Sequence, residues 1–275
     1  PLLVRGRTGV TPTKAGLVAY RHVQLLLRQL DQAKADVRAA SEGLRGRVSL
    51  GVVPYSCASG LVIELMKAVT ARHPGILLHV HENFEGVLAA DLLQGRMDLA
   101  FLYEVAPKPE LFYSPLMAEP LCVVAAECLR IPADPGREIE LAALAHVPLL
   151  LPSRIHAIRL VIEACFESHQ FQPQLLAEVE SLETLIAAVQ QGLGATILPI
   201  FAAEAIGSEP GIILRRLAGV ASEVMLFLCT ARHRPPSEAV MAVHDLAADL
   251  AAHLLGTGAK AGEATRAPPV GFTQG

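Results

Sequence analysis

Two histidines and a glutamate lie within four consecutive positions and could bind a metal ion. His79 and His81 alternate along a predicted strand, so their side chains point to one face, and Glu82 follows directly. A zinc site needs three or four protein ligands. Because this strand offers only two imidazoles on one face, we predict a surface or structural role for them. We expect neither a bound metal nor a cofactor.

The segment QQGLGATILP, from Gln190 to Pro199, contains two glycines that could approach the phosphates of a dinucleotide. That function requires the spacing GxGxxG directly after a strand, whereas here a predicted helix precedes Gly192 and Gly194. We predict instead that the glycine pair ends a helix and turns into a strand. The sequence also contains no GxSxG segment, the nucleophile turn of many hydrolases. These absences disfavour a hydrolase, and because we also find no convergent acid, base or nucleophile set, we predict that the protein is not an enzyme.

Cysteine usage and hydropathy bear on the compartment. The five cysteines are odd in number and widely spread, without a CxxC pair, so we predict reduced thiols. No apolar run reaches the roughly 18 residues that a membrane-spanning helix needs, and no export leader is recognisable. We therefore expect a cytoplasmic protein without a membrane partner.

The net charge of −4 divides unevenly along the chain. Residues 1–47 contain nine Lys or Arg and three acidic residues, a net charge of +6, whereas the remainder has a net charge of −10. Such asymmetry indicates an N-terminal segment that contacts a polyanion and a body that does not. The alternative is a solvated helix face that happens to be basic.

A long helix is predicted after Gly16, because neither Pro nor Gly interrupts the chain from Leu17 to Glu42. Its apolar side chains recur at alternating steps of four and three residues, which is the heptad spacing of paired helices. We predict that this helix dimerises, although the stripe could instead pack on the chain's own body. The main seam residues are Val23, Leu26, Leu30 and Val37.

Beyond Gly46 the pattern changes to alternating strands and helices. Strands are predicted at 47–53, 76–82 and 98–103, with helices at 59–71 and 86–95 between them. This βαβαβ order predicts a mostly parallel sheet covered by helices. Two proline-containing links surround the segment LFYSPL, and a second such unit begins at LCVVAAE, near residue 121.

The second unit has the same alternation, and the chain is long enough for two cores. We predict an α/β body of two lobes, with a ligand between them at the carboxyl ends of their strands. Lobe I comprises about residues 46–118 and 222–255, and lobe II about 119–221. By its composition, the segment 256–275 is predicted to be a disordered tail.

Four segments together resemble the LysR-type transcriptional regulators. PLLVRGRTGVTPTKAG at the N-terminus is similar to the phrase that closes the family's winged helix-turn-helix and opens its linker helix. The stretch from Leu44 to Tyr103, then LLLPSRIHAIRLVIE and LIAAVQQGLGATILP, resemble the effector domain in the family's order. Within the family, the sequence of these segments is most similar to the nitrogen assimilation control subgroup.

The resemblance implies a type 2 periplasmic-binding-protein fold for the body, a linker helix at 17–45 and a wing remnant at 1–16. It also implies DNA as a partner, a small-molecule co-inducer, such as a carboxylate, and a homodimer or homotetramer. The family's base-reading helix has no counterpart here, so we expect an incomplete chain, a fragment or a late gene start, that binds DNA weakly. Wing residues would lie against phosphate or in the minor groove and would position the protein without selecting a base sequence. These residues are Arg5, Arg7 and Thr11.

The resemblance also implies where the effector lies. Its polar end would contact Ser56, Cys57 and Ser59 after the first strand of the body, and Ser153 with Arg154 after LLLP, since helix N-termini attract anionic groups. For any one serine, ordinary helix capping is the alternative. Arg159 could replace Arg154 as a clamp. The remaining walls would come from Phe84, Glu85, Pro199 and Phe201.

Two other function classes share such a body. A solute-binding protein, or a sensor domain without DNA binding, would have the two lobes but no heptad helix. An enzyme on the same fold would need a convergent acid, base or nucleophile set, which we do not find. The basic N-terminal segment, the heptad helix and the bilobed body together favour the ligand-responsive regulator.

Overall fold

The computed structural model describes residues 1–6, 9–42, 44–56, 58–103, 107–131, 138–207, 210–219 and 223–258. The strands are β1 (Leu3–Gly6), β2 (Gly9–Pro12), β3 (Gly46–Val52), β4 (Ile76–Glu82), β5 (Leu99–Tyr103), β6 (Leu111–Ala126), β7 (Pro148–Leu151), β8 (Gln174–Glu178), β9 (Thr196–Pro199), β10 (Ile212–Arg216) and β11 (Glu223–Ala231). The helices are α1 (Lys14–Glu42), α2 (Ala58–Arg72), α3 (Glu85–Leu93), α4 (Ala157–Ser168), α5 (Leu182–Gln190), α6 (Ile200–Gly207) and α7 (Glu238–Gly258).

The N-terminal segment is a hairpin joined to a long helix. Strands β1 and β2 pair antiparallel, and α1 begins directly after them. The Thr13 hydroxyl accepts the Gly16 N–H at 2.9 Å and donates to the Pro1 carbonyl at 3.0 Å, so it caps the helix and ties it to the hairpin. A Cβ at Gly16 would lie 1.9 Å from the Leu2 carbonyl oxygen, so only glycine fits there. The helix thus starts about one turn earlier than predicted.

The first part of the body follows the predicted βαβαβ order. Strand β3 pairs in parallel with β4 on one side and β5 on the other, while α2 and α3 form the two connections. Its central residues Val48 and Leu50 have no exposed surface. Helix α7 returns to this part and packs against α2.

Strand β6 corrects the prediction of two segments separated by proline-containing links. It runs unbroken for 16 residues, and its first half pairs antiparallel with β11 while its second half pairs with β9 and β10. Proline donates no backbone hydrogen bond and is tolerated at bulges and strand ends. Pro115 lies at the register shift opposite Phe227, and Pro120 lies opposite Glu223 at the first residue of β11.

The sheet is therefore mixed rather than mostly parallel. In the path β10-β6-β11-β5-β3-β4, only the β5-β3 and β3-β4 pairs are parallel. Within residues 138–217, β7 and β8 form a separate parallel pair connected through α4. Helix α6 was not predicted.

The predicted limits of the two lobes stay a prediction, and we keep their names for these parts of the chain. Helix α7 extends to Gly258, three residues into the predicted tail, and residues 259–275 lie outside the described part. Among the described helices, none is long and apolar enough to span a bilayer.

Candidate functional site

A cavity of about 700 Å³ lies between the two lobes. Lobe I contributes the residues that follow β3 and β4, and lobe II contributes the residues that follow β8 and the first turns of α5. The carboxyl ends of parallel strands meet at such an edge, which is where α/β proteins bind ligands. The described lining residues are Pro54, Tyr55, Glu82, Asn83, Phe84, Glu180, Ser181, Leu182, Glu183 and Ile186.

Tyr55 connects the two lobes across this cavity. Its hydroxyl donates to the Val179 carbonyl at 2.9 Å, and its backbone adopts φ 60°, a left-handed conformation that is rare outside glycine. Burial, followed by the negative charges of Glu180 and Glu82, raises the pKa of Tyr55 well above its ordinary value. The hydroxyl therefore stays protonated and keeps donating to lobe II.

His156 of lobe II lies between two aromatic rings of lobe I. Its ring centroid is 4.9 Å from that of Tyr55 and 5.0 Å from that of Phe84, both in edge-on geometry. Its Nε2 lies 2.8 Å from Glu180 Oε2. A hydrogen bond from the Ser153 hydroxyl, assisted by the His156 contact, lowers the pKa of Glu180 against the opposing effect of burial.

Glu85 faces a second, water-sized cavity of about 10 Å³ beside the first. Burial raises the pKa of Glu85 to about 8, although Lys108 opposes the shift, so its carboxyl carries a proton at neutral pH. Tyr103 also lines this cavity, and its hydroxyl donates to Glu119 Oε1 at 3.0 Å. The remaining wall includes the start of α4, whose first N–H groups have no partner within the helix.

Of the predicted effector residues, Phe84 lines the large cavity and Glu85 lines the small one. Ser153 lies beside them through its hydrogen bond to Glu180. The structure thus brings these three predicted residues together, with Tyr55, His156 and Glu180, which the sequence did not indicate.

Four other predicted effector residues are described and have different surroundings. The buried Ser56 hydroxyl donates to the Val53 carbonyl at 2.8 Å, and exposed Arg154 bonds Glu163 at 3.0 Å. Pro199 pairs with Leu121 inside the sheet, and Phe201 packs on the core from α6. None of these four lines a cavity described above. Cys57 and the Ser59 side chain lie outside the described part.

The alternative clamp, Arg159, already has its own partners. This buried guanidinium bonds Glu163 at 2.9 Å, the Pro152 carbonyl at 2.8 Å and Glu178 at 3.1 Å. It therefore holds the start of α4 against β8.

The predicted DNA and dimer residues lie on the N-terminal segment. Arg5 and Thr11 lie on the exposed faces of β1 and β2, while Arg7 lies outside the described residues. Val23, Leu26 and Leu30 of α1 are 49%, 63% and 52% exposed. These three therefore do not pack on the body, contrary to the alternative for the stripe. The Val37 side chain is outside the described set.

His79 and His81 lie exposed on β4 with ring centroids 6.5 Å apart. Among the described residues there is no group of three or more side chains that could hold a metal ion. The described cysteines Cys122, Cys128, Cys165 and Cys229 are free thiols.

The family described as "LysR substrate binding domain" matches residues 41–252, which is most of the chain. The chain belongs to the LysR family. Its body therefore has the bilobed type 2 periplasmic-binding-protein fold of LysR effector domains. Two similar proteins are the nitrogen assimilation regulatory proteins nac of Escherichia coli and Klebsiella aerogenes.

The Escherichia coli protein is 36% identical over 205 residues, which cover 74% of this chain and 66% of that protein. The Klebsiella aerogenes protein is 35% identical over 216 residues, covering 78% and 69%. This chain thus spans about two thirds of the length of these curated relatives. The predicted resemblance to the nitrogen assimilation control subgroup is confirmed.

Solved LysR structures show the same fold. A Corynebacterium glutamicum OxyR mutant superposes with a TM-score of 0.69 at 22% identity, covering 94% of this chain and 80% of that one. The effector binding domain of QuiR in complex with shikimate gives 0.67 at 21% identity, covering 76% and 98%. Full-length CbnR with its target DNA gives 0.64 at 19% identity, covering 91% and 84%.

Proposed function

We propose that the chain is part of a LysR-type regulator that binds DNA and controls transcription in response to a small molecule in the large cavity. The observation that carries this proposal is the cavity itself, whose described walls come from both lobes. A ligand there contacts the two lobes at once, so its binding free energy depends on how they are arranged. Among similar structures, the QuiR domain holds shikimate and CbnR holds DNA.

The mechanism that we propose transmits this rearrangement through α1. The helix continues without interruption from the hairpin to Glu42, just before β3 of lobe I. A change in how paired bodies pack therefore alters the angle between paired helices and the spacing of their DNA-binding ends. Homodimerisation through the exposed seam of α1, or a tetramer built on it, is part of the proposal.

Thermal unfolding of the chain in the presence of a metabolite library tests the effector part. A compound that binds only the folded state raises the melting temperature. We expect Phe84→Ala, in the cavity wall, to abolish the shift, while Phe112→Ala, a half-exposed aromatic on β6, preserves it. No stabilising compound in the library, or equal binding to both variants, contradicts an effector site in this cavity.

The DNA-binding part includes the proposal that the base-reading helices lie before Pro1. Sequencing the in-frame DNA upstream of Pro1 tests it, because a helix-turn-helix must be encoded there. A longer product containing it should bind its own promoter with an affinity that changes when the effector is added. Unchanged promoter affinity would contradict regulation by the ligand. A cytoplasmic location, with access to DNA, belongs to the same proposal.

A further inference from the structure

The large cavity has a one-sided charge. Three of its ten described lining residues are glutamates: Glu82 from lobe I, and Glu180 and Glu183 from lobe II. None of these ten residues is Lys, Arg or His. A cleft lined by one sign of charge attracts ligands of the opposite sign and repels those of its own.

The negative potential persists at neutral pH. The hydrogen bonds that Glu180 accepts from Ser153 and His156 favour its ionised form and lower its pKa. The Tyr55 hydroxyl senses the same field from the other wall, because Glu180 and Glu82 both help to raise its pKa. Glu180 is thus a carboxylate on lobe II, and Tyr55 on lobe I responds to its charge in addition to the larger effect of burial.

Three cations near the cavity, among the described residues, interact with carboxylates outside it. Arg154 bonds Glu163, and Arg159 bonds Glu163 and Glu178, so these guanidinium groups offset other carboxylates. Lys108 interacts electrostatically with Glu85 beside the smaller cavity. None of these three lines the large cavity.

The N-terminus of α5 is the feature that would favour an anion, and the chain supplies its own acceptors there. The Ser181 hydroxyl accepts the Thr184 N–H at 3.3 Å, and Glu183 lies in the first turn. An acidic side chain in that turn offsets the positive end of the helix dipole. An incoming carboxylate would have to displace or approach these groups.

The rest of the wall suits an alkyl or aromatic-contacting cation. Tyr55 and Phe84 contribute aromatic rings, and Leu182 and Ile186 contribute aliphatic carbon. Ammonium groups bind favourably to carboxylates and to the faces of aromatic rings. A volume of about 700 Å³ lies within the range of small-molecule sites, which runs from about 300 to 1,000 Å³.

We propose that the cavity selects an aliphatic amine, a ligand with one or more ammonium groups on an apolar chain, and rejects carboxylates. This inference rests on the proposed effector function and replaces the carboxylate expected from sequence. In it, Glu82, Glu180 and Glu183 bind the ammonium groups, while the aromatic and aliphatic walls contact the carbon chain.

A pair of probes with the same five-carbon chain and opposite charges tests this inference. We expect 1,5-diaminopentane to raise the melting temperature of the chain and to bind in isothermal titration calorimetry. Glutarate should do neither. Because the attraction is electrostatic and the carboxylates are partly exposed to solvent, the affinity for the diamine should fall as the salt concentration rises.

Three charge-neutralising variants locate the effect. Glu183→Gln and Glu82→Gln should each weaken diamine binding at least about 5-fold, as expected for a lost charge-assisted hydrogen bond. Glu110→Gln removes an equal charge at an exposed position outside the cavity and should leave affinity within about 2-fold. Two cavity variants keep the test valid if one of them folds poorly.

The outcomes separate the inference from the proposed function. Binding of glutarate in preference to the diamine, or equal weakening by Glu110→Gln, overturns the amine assignment and leaves the effector function standing. Failure of the diamine to bind while another library compound does has the same meaning. A library without any stabilising compound overturns both.

Discussion

The N-terminal segment and the centre of the body differ in how much of their apolar side chains is exposed to solvent. In β3, Val48 and Leu50 are completely buried, whereas Leu26 and Leu30 of α1 are more than half exposed. Burial of apolar surface is the main favourable contribution to folding, at roughly 25 cal/mol per Å². The central strands of the body therefore bury their apolar side chains in a core formed within one chain. The α1 seam can bury its apolar side chains only against another surface.

The largest expected effect lies in the body. Leu50→Ala should lower the free energy of unfolding by about 2–5 kcal/mol, because it removes buried carbon and leaves a void in the centre of the sheet. Leu26→Ala, the same substitution on α1, should change the unfolding of the isolated chain by less than about 0.5 kcal/mol. Urea denaturation at low protein concentration measures both. Equal losses would remove the distinction between the two regions.

A buried carboxyl group is a second difference between the body and the N-terminal segment. Glu85 belongs to the body, and burial raises its pKa to about 8. The folded state holds this proton more tightly than the unfolded state, so the contribution is fully present below about pH 4.5 and is lost as pH rises through about 8. Glu85→Gln has no carboxyl to ionise, so the variant does not lose this stability as pH rises. We expect the variant to be more stable than the wild type by about 2–4 kcal/mol at pH 8.

Urea denaturation from pH 5 to pH 9 measures this difference, which should shrink toward pH 5. Glu110→Gln is the control, because it makes the same substitution at an exposed position. A constant difference between Glu85→Gln and wild type would show that Glu85 is ionised in the folded protein.

Substitutions in the N-terminal segment are expected to change self-association of the chain. Leu26→Asp and Leu30→Asp place a charge in the α1 seam and should weaken self-association at least about 10-fold, equivalent to about 1.4 kcal/mol. Sedimentation equilibrium measures the constant, with Leu77→Asp on the exposed face of β4 as the control. Unchanged association would place the oligomer contacts outside the seam.

The smallest expected effect concerns the contact between lobes. Tyr55→Phe removes the hydroxyl that donates to the Val179 carbonyl and should cost about 1 kcal/mol of stability. Amide hydrogen exchange should accelerate on both sides of the cavity and not in α1. Acceleration confined to residues 54–56 would mean that this bond holds only its own loop.

The local pattern of the sequence was sufficient for most elements of the body. The helices α2 and α3 begin and end within about two residues of the predicted positions, because their amphipathic faces are bounded by Pro, Gly or a following strand. The error at β6 arose because Pro115 and Pro120 resemble chain breaks. Their positions at a bulge and a strand end depend on β11, about a hundred residues later.

The candidate site was harder to predict from the sequence, because its residues come from distant parts of the chain. Phe84 and Glu85 came from the family resemblance, but Tyr55 and Val179 meet across 124 residues, and no local signal links them. His156 stands where a helix cap is expected, yet its side chain caps nothing and instead contacts Phe84 and Glu180. The charge of the cavity depends on two lobes meeting, so spacing along one of them does not indicate it.

The strand order β6-β11-β5 also governs folding during synthesis. Strand β11 lies between β5 and the first half of β6, yet it leaves the ribosome long after both. Until residue 231 has emerged, those two strands each lack a neighbour. All strands of the second half, from β7 to β10, are by then already available for pairing. We therefore expect the nascent chain to complete residues 138–217 before the part that begins earlier, which still waits for β11 and then for α7.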